Sequence, residues 1–149
     1  MDADACPRPA KEILFRLADK RQVNVTLVAN QYLPTPRSRF VRALQVPGGF
    51  DVADNEIVAR INVGDIVITA DVPLADEVVR GGAVAINPRG TTYTEQNIKE
   101  LLAKRDLMAE LRDQGTIRGG QAPYDAKDVQ AFANALDRSV TKMQRASAS

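Results

Sequence analysis

Apolar residues recur along this chain at two spacings, one typical of amphipathic helices and the other of buried strands. The helical spacing predicts five helices: Ala10–Lys20, Asp51–Ile61, Pro73–Arg80, Thr94–Gln114 and Tyr124–Gln144. Short runs rich in β-branched and other apolar residues predict four strands between the helices: Val23–Ala29, Phe40–Val46, Ile66–Ala70 and Ala83–Ile86.

Strands that alternate with helices favour an α/β fold with three layers and a mainly parallel sheet. We expect the two C-terminal helices to pack on one side of this sheet or to cover an edge. The 149 residues fit a single domain, 1–149. Residues from about Ala146 onward are expected to form a frayed tail.

The composition narrows the class of protein. Hydrophobic residues make up 44% and charged residues 26% of the chain, and the net charge is +1. This charge predicts no strong attraction of the whole domain to nucleic acid or membranes, although a local basic patch is compatible with it.

No apolar run approaches the ~20 residues of a membrane span, and the acidic N-terminus is unlike a signal peptide. A single cysteine excludes an internal disulfide and favours the cytoplasm. The sequence does not indicate an oligomeric state.

The absence of histidine limits the chemistry further. It excludes the Ser-His-Asp and Cys-His arrangements and the usual zinc sites. Catalysis would then depend on Asp or Glu with a bound cation, on Lys and Arg, or on Cys6. Cys6 precedes a predicted helix, where a thiol pKa can fall. A small buried residue is the simpler interpretation of Cys6, and we favour it.

Carboxylates occur where strands are predicted to end and helices to begin. Asp2 and Asp4 are two residues apart, Asp54 lies near the start of a helix, and Asp71 follows a buried strand. Ligands of open α/β sheets bind beyond the carboxyl ends of the strands. Clustered carboxylates repel one another unless a cation or a shared proton is present, so they indicate Mg²⁺ or Mn²⁺. Asp65 begins the strand that Asp71 follows, roughly 20 Å away, and is left out of the site.

Each of these residues also has a simpler interpretation. An aspartate before a helix is often only an N-cap. Four arginines in loops are candidates for phosphate contacts, but a solvated surface charge is the simpler interpretation, and we favour it, for each of Arg37, Arg39, Arg89 and Arg118. No phosphate-binding or dinucleotide-binding glycine motif is present.

Five short motifs follow one another along the chain: Asp2–Pro7, Val28–Asn30, Gly49–Asn55, Gly64–Asp71 with Pro73–Ala75, and Asn87–Gly90. In this order they closely resemble the YaiI/YqxD family of uncharacterised bacterial proteins. The resemblance extends from Asp2 to about Phe132.

The YaiI/YqxD family is similar in turn to the PIN-like nucleases. That resemblance implies a PIN-like fold and a metal-dependent nuclease or phosphodiesterase, with single-stranded RNA as a partner. It implies Asp4, Asp54 and Asp71 as catalytic residues. The implied ligands of Mg²⁺ or Mn²⁺ are Asp2, Asp4, Asp54 and Asp71. Thr69 is implied at the substrate, Asp76 is a possible fourth acidic position, and Asn30 belongs to one of the motifs.

Two other functions are compatible with the sequence. Asp2-Ala3-Asp4 imitates the opening motif of haloacid-dehalogenase-like phosphohydrolases, but their later Gly-Asp pair should follow a strand, whereas Gly64-Asp65 precedes one. The other alternative is a non-catalytic module of the PIN-like fold that binds nucleic acid or another ligand.

Overall fold

The computed structural model describes residues 6–48, 52–115 and 123–148. The helices in these ranges are α1 (Arg8–Arg21), α2 (Val52–Arg60), α3 (Val72–Arg80), α4 (Glu95–Asp113) and α5 (Ala126–Ala148). The strands are β1 (Val25–Ala29), β2 (Val41–Gln45), β3 (Ile66–Ile68), β4 (Val84–Ile86) and β5 (Thr92–Tyr93). No helix within the described ranges is both long and apolar enough to cross a membrane. The predicted α/β class is confirmed.

The strands of the described residues form two small sheets. In one, β1 and β2 are parallel, with Val25 opposite Val41 and Ala29 opposite Gln45. In the other, β3 and β4 are parallel and β5 is antiparallel to β4. Within the described ranges the strands therefore belong to two sheets, and the predicted three-layer arrangement stays a prediction. Strand β5 was not predicted, because a two-residue strand is too short to show an apolar alternation.

Alternate residues of the strands contribute to two different apolar clusters. Leu27, Ile68 and Ile86 lie in the first cluster, which α1 and α5 complete. Val28, Val67 and Ala85 lie in the second, which α2, α3 and α4 complete. This alternation is expected of strands that have apolar surface on both faces. The two C-terminal helices therefore belong to different clusters and do not share one side.

The last helix is longer than the sequence predicts. We expected it to end at Gln144 and the chain to fray from about Ala146, but α5 continues to Ala148. The physical reason is that this segment contains no glycine or proline, and alanine is the residue that favours a helix most.

A set of hydrogen bonds joins the end of α1 to α5. The Arg21 guanidinium donates to Asp137 at 2.9 Å, to Thr141 at 3.1 Å and to the Gln144 side-chain oxygen at 2.8 Å. The Gln144 side-chain amide donates in return to the Arg21 carbonyl oxygen at 2.9 Å. The C-terminal end of α1 is thus fixed to the last helix of the chain.

Candidate functional site

Asp71 follows β3 and begins α3. Its carboxylate Oδ1 accepts a hydrogen bond from the Leu74 backbone N–H at 3.0 Å, so the residue is the N-cap of α3. The Thr69 hydroxyl accepts from the Asp71 N–H at 3.0 Å. Thr69 is only 1% exposed, so it orients the Asp71 backbone from within the core. This buried position differs from the substrate contact that the resemblance implies for Thr69, and that contact stays a prediction.

Tyr93 and Asn87 lie next to Asp71. The Asn87 side-chain amide donates to the Tyr93 hydroxyl at 2.9 Å. Burial raises the pKa of the Tyr93 hydroxyl, the Asn87 hydrogen bond opposes this shift, and the Asp71 carboxylate adds to it. Tyr93 is therefore neutral near pH 7 and retains its proton as a hydrogen-bond donor.

One face of α4 completes a cavity of about 490 Å³ around these residues. Asp71, Asn87 and Tyr93 line one part of it. The part contributed by α4 consists of Leu101, Lys104, Arg105, Met108 and Arg112, which we call the cationic face of α4. These positions recur at three- and four-residue intervals, so they share one side of the helix. A carboxylate and three cations thus line the same space.

The other acidic residues that were predicted for the site lie on different segments of the chain. Asp2 and Asp4 lie outside the described residues. Asp54 lies in the first turn of α2, which follows β2 and packs against α3. Asp76 forms an ion pair with Arg80, four residues later on α3. No group of three or more possible metal-binding side chains occurs within the described ranges.

Asp65 occupies the opposite end of β3 from Asp71. Its carboxylate accepts a hydrogen bond from the Asn62 N–H at 2.8 Å, which stabilises the turn before the strand. The structure therefore agrees with the exclusion of Asp65 from the site. It also gives Gly64-Asp65 a position unlike the one that a haloacid-dehalogenase-like phosphohydrolase requires.

Arg89 lies in the turn after β4, where it contacts the start of α5. Its guanidinium donates to Asp128 at 3.0 Å and lies 5.7 Å from the centre of the Tyr124 ring. The Tyr124 hydroxyl in turn donates to the Pro88 carbonyl at 2.7 Å. Arg89 thus joins the turn to α5, and its predicted phosphate contact stays a prediction.

The structure does not bring Arg37 and Arg39 to the Asp71 cavity. The Phe40 carbonyl accepts a hydrogen bond from the N–H of Val25, the first residue of β1, so Arg39 lies at the amino end of the strands. The guanidinium of Arg39 lies 5.0 Å from the centre of the Phe40 ring. The reason is topological: because β1 and β2 are parallel, the loop between them returns along the whole strand length. Arg118 lies outside the described residues.

Two further residues were singled out in the sequence. Cys6 is buried in the first apolar cluster, in agreement with the simpler interpretation of this residue. Asn30 follows β1 and is exposed.

The cationic face of α4 was not predicted from the sequence. Its three cations lie on a long, polar helix, where a solvated surface is the ordinary expectation. The available signal was the interval of eight residues between Lys104 and Arg112, with Met108 midway. That signal becomes informative only when the helix is known to pack against α3 and to line a cavity.

The described residues form a mixed α/β protein in which the Asp71 carboxylate follows a parallel strand. Comparison with known proteins identifies the family to which the chain belongs. The family model described as "Uncharacterized BCR, YaiI/YqxD family" matches residues 1–142. The chain belongs to this family. The resemblance noted in the sequence is thereby confirmed.

Several relatives match along nearly their whole length. A UPF0178 protein of Maridesulfovibrio salexigens is 56% identical over 142 residues, which are 95% of this chain and 94% of the relative. One of Shewanella woodyi is 58% identical over 142 residues, with the same coverage of 95% and 94%. One of Janthinobacterium sp. is 53% identical over 144 residues, or 97% of this chain and 95% of the relative. No solved structure matches this chain.

Proposed function

We propose that this protein is a PIN-like, divalent-metal-dependent phosphodiester hydrolase that acts on single-stranded RNA, with the three-layer arrangement of that class. The observation that carries the proposal is the cavity of about 490 Å³ that Asp71 shares with the cationic face of α4. A carboxylate suits a cation, and the neighbouring Lys and Arg side chains suit phosphate oxygens. A cavity that offers both suits the binding and hydrolysis of a phosphodiester.

The donors in this cavity fit Mg²⁺ or Mn²⁺. Among the described residues, the N-cap hydrogen bond engages only Oδ1 of Asp71, so Oδ2 is available to a hard cation. In the proposal, Asp54 and either Asp2 or Asp4 complete the ligand set. When bound, the ion would activate water and offset the charge that develops on the phosphoryl oxygens.

The side chains around Asp71 have separate roles in this proposal. Lys104, Arg105 and Arg112 bind the phosphates and hold the strand against the cavity. The neutral Tyr93 hydroxyl is a hydrogen-bond donor at the cavity wall. Thr69 is a positioning residue, because its hydroxyl holds the Asp71 backbone.

Replacing Asp71 with asparagine is expected to preserve the fold and to weaken Mn²⁺ binding by about 100-fold or more, since loss of an outer-shell partner alone costs ~10–100-fold. Asparagine caps a helix as well as aspartate does, but it lacks the charge that attracts a cation. Mn²⁺ should raise the melting temperature of the wild type much more than that of Asp71→Asn. Cleavage of a fluorescent single-stranded RNA should fall in parallel.

Asp65→Asn is the matched control. It makes the same change at the other end of the same strand, and the asparagine oxygen can still accept from the Asn62 N–H. Its Mn²⁺ shift and RNA cleavage should equal those of the wild type. Equal Mn²⁺ shifts in the wild type and Asp71→Asn would argue against Asp71 as a ligand.

Removing two cations from α4 is expected to weaken RNA binding and to flatten its dependence on salt. Each phosphate of a single strand that a cation neutralises contributes ~0.7 to the slope of log affinity against log salt. If Lys104 and Arg112 each neutralise one phosphate, the double alanine variant should therefore reduce the magnitude of this slope by about 1.4. The measurement is RNA affinity with Mn²⁺ at several salt concentrations. The double variant Arg37→Ala/Arg39→Ala changes the net charge equally at the far end of the strands. Equal effects of the two double variants would contradict a specific role for α4.

The alternatives predict different outcomes in the same assays. RNA binding with Mn²⁺ but without turnover would favour the non-catalytic module. Hydrolysis of an aryl phosphate without RNA cleavage would favour a phosphohydrolase. Salt-independent binding, or none with Mn²⁺ present, would exclude the RNA role.

A further inference from the structure

The side chain of Asn87 has one fixed orientation, because both of its polar atoms are engaged. Its Oδ1 accepts a hydrogen bond from the Arg89 backbone N–H at 2.8 Å, and a backbone N–H can only donate. The oxygen and nitrogen of this side chain therefore cannot be exchanged. Its Nδ2 must then donate to the Tyr93 hydroxyl oxygen, which lies 2.9 Å away. In this hydrogen bond Tyr93 is the acceptor.

The hydroxyl hydrogen of Tyr93 is therefore directed away from Asn87. A hydroxyl group has one hydrogen to donate besides the lone pairs that accept. Within the described ranges, no group accepts a hydrogen bond from Tyr93. Tyr93 is only 4% exposed, so its hydroxyl is not solvated as a surface hydroxyl is. Buried donors are paired in most folded proteins, so this arrangement favours an acceptor that a ligand supplies.

The hydroxyl end of Tyr93 lies near Asp71, in the cavity of about 490 Å³ described above. Tyr93, Asn87 and Asp71 all line this cavity. The Asp71 carboxylate is near enough to raise the pKa of the Tyr93 hydroxyl. No hydrogen bond joins these two side chains in the part of the chain that the structure describes. A ligand in the cavity can therefore accept the Tyr93 hydrogen.

The cationic face of α4 determines which charge a ligand of this cavity should carry. Among the described residues, three cations of this face line the cavity, against the single carboxylate of Asp71. An anion is therefore favoured. The oxygens of a phosphate group accept hydrogen bonds both from cations and from neutral hydroxyls. A phosphate group is also the group on which the proposed function acts.

The position along α4 distinguishes the three cations. Tyr93 directly precedes the N-cap of this helix. Lys104 is eight residues nearer than Arg112 to that end, or about 12 Å at ~1.5 Å per residue. Arg105 is at nearly the same level as Lys104, but it also pairs with Asp106 at 3.2 Å. Lys104 is therefore the cation best placed to share one small ligand with Tyr93.

We propose that the Tyr93 hydroxyl donates its hydrogen to an oxygen of a substrate phosphate group, and that Tyr93 and Lys104 form a phosphate subsite that requires no metal ion. Asn87 is a positioning residue, because it acts through the hydroxyl of Tyr93. The inference rests on the proposed function for the identity of the ligand. It extends that function, because a subsite of this kind should also take inorganic phosphate.

Inorganic phosphate is the probe for this subsite. It is titrated into the full chain near neutral pH with a metal chelator present, and sodium chloride of equal ionic strength is the reference. Phosphate should raise the melting temperature above the reference. Tyr93→Phe should weaken phosphate binding by about 10-fold or more, because a hydrogen bond to a charged group is lost. Tyr32→Phe is the matched control: it removes the hydroxyl of an exposed tyrosine and should leave phosphate affinity unchanged.

Two other substitutions test the direction of the hydrogen bond and the position along α4. Asn87→Asp replaces the amide donor with a carboxylate oxygen, to which Tyr93 would donate its hydrogen instead. Phosphate affinity should then fall. Adding Tyr93→Phe to Asn87→Asp should cause a smaller further loss than Tyr93→Phe causes alone, because both changes act on the same hydrogen. Lys104→Ala should weaken phosphate binding more than Arg112→Ala, although each removes one cation.

A measurement on the unaltered chain does not depend on the folding of any variant. The NMR chemical shift of a tyrosine Cζ, which carries the hydroxyl, responds to the hydrogen bond that this hydroxyl donates. Phosphate should change the Cζ shift of Tyr93 and leave that of Tyr32 unchanged. A role of Tyr93 in packing alone would not produce this change.

The outcomes distinguish this inference from the proposed function. Equal phosphate affinities of the wild type and Tyr93→Phe would overturn the inference, even if the protein cleaves RNA with Mn²⁺. The absence of phosphate binding to the wild type would also overturn it. Phosphate binding that depends on Tyr93 and Lys104, without RNA cleavage, would support the subsite and argue against the hydrolase. If Tyr93→Phe does not fold, an unchanged Cζ shift of Tyr93 with phosphate would overturn the inference, and a changed shift would support it.

Discussion

Replacing Phe132 with alanine is expected to lower the free energy of unfolding by about 3–5 kcal/mol. The Phe132 side chain on α5 is fully buried and belongs to the first apolar cluster, where α5 meets α1 and the strands. Alanine would remove the ring and leave a cavity that the surrounding elements fill only in part. The loss is a large share of the ~5–15 kcal/mol that stabilises a typical domain. Urea denaturation measures it.

Two further variants distinguish the loss of buried volume from the loss of an aromatic ring as such. Phe132→Leu retains most of the volume and should cost less than about 1.5 kcal/mol. Tyr32→Ala removes an aromatic ring that is 79% exposed, so it should change stability by less than about 0.5 kcal/mol. A loss as small for Phe132→Ala as for Tyr32→Ala would contradict the packing of α5 described above.

Replacing Gly90 with alanine is expected to cost about 2–5 kcal/mol, through two effects that add. Gly90 has a φ of +100°, which costs ~1–2 kcal/mol for a residue with a Cβ. A Cβ at this position would also lie 2.6 Å from the backbone carbon of Ala131 on α5. That atom cannot move alone, so α5 must shift, at a typical cost of ~1–3 kcal/mol. Thermal and urea unfolding measure the sum.

Gly64→Ala distinguishes the two effects. Gly64 has a similar φ of +89°, but a Cβ there would meet no atom within 4 Å. It should therefore show the conformational cost alone. If Gly64→Ala and Gly90→Ala are equally destabilising, the turn after β4 does not pack closely against α5.

The local elements were predictable because their signals are local. Asp71 as N-cap, Pro73 in the first turn and Gly81 after the last residue predict α3 almost to its observed bounds of Val72–Arg80. The division of the described strands into two sheets was not predictable, because strand pairing joins residues that are distant in the chain. The two-residue strand β5 has no periodicity of its own and is defined by its pairing with β4.

The candidate site was predictable only where a residue directly follows a strand. Asp71 lies beyond the end of β3, and Asn87, which follows β4, lines the same cavity. Arg37 and Arg39 were candidates for phosphate contacts because they lie in a loop. The order of residues in the chain does not reveal which end of the strands that loop reaches. Arg112 has no strand near it in sequence, and only the packing of α4 brings it to Asp71. Tertiary contacts, not motifs, therefore select the basic side chains of this site.

The hydrogen bonds between Arg21 and Gln144 also have a consequence for biosynthesis. Their partners are 123 residues apart, so α1 leaves the ribosome well before the helix that holds its end. At about 5–20 residues per second, the delay is roughly 6–25 seconds. During that interval the apolar side of α1 has no α5 to cover it, and such transiently exposed apolar surface favours aggregation. Completion of the chain, rather than the appearance of its first helix, should then limit the rate at which newly made protein becomes native.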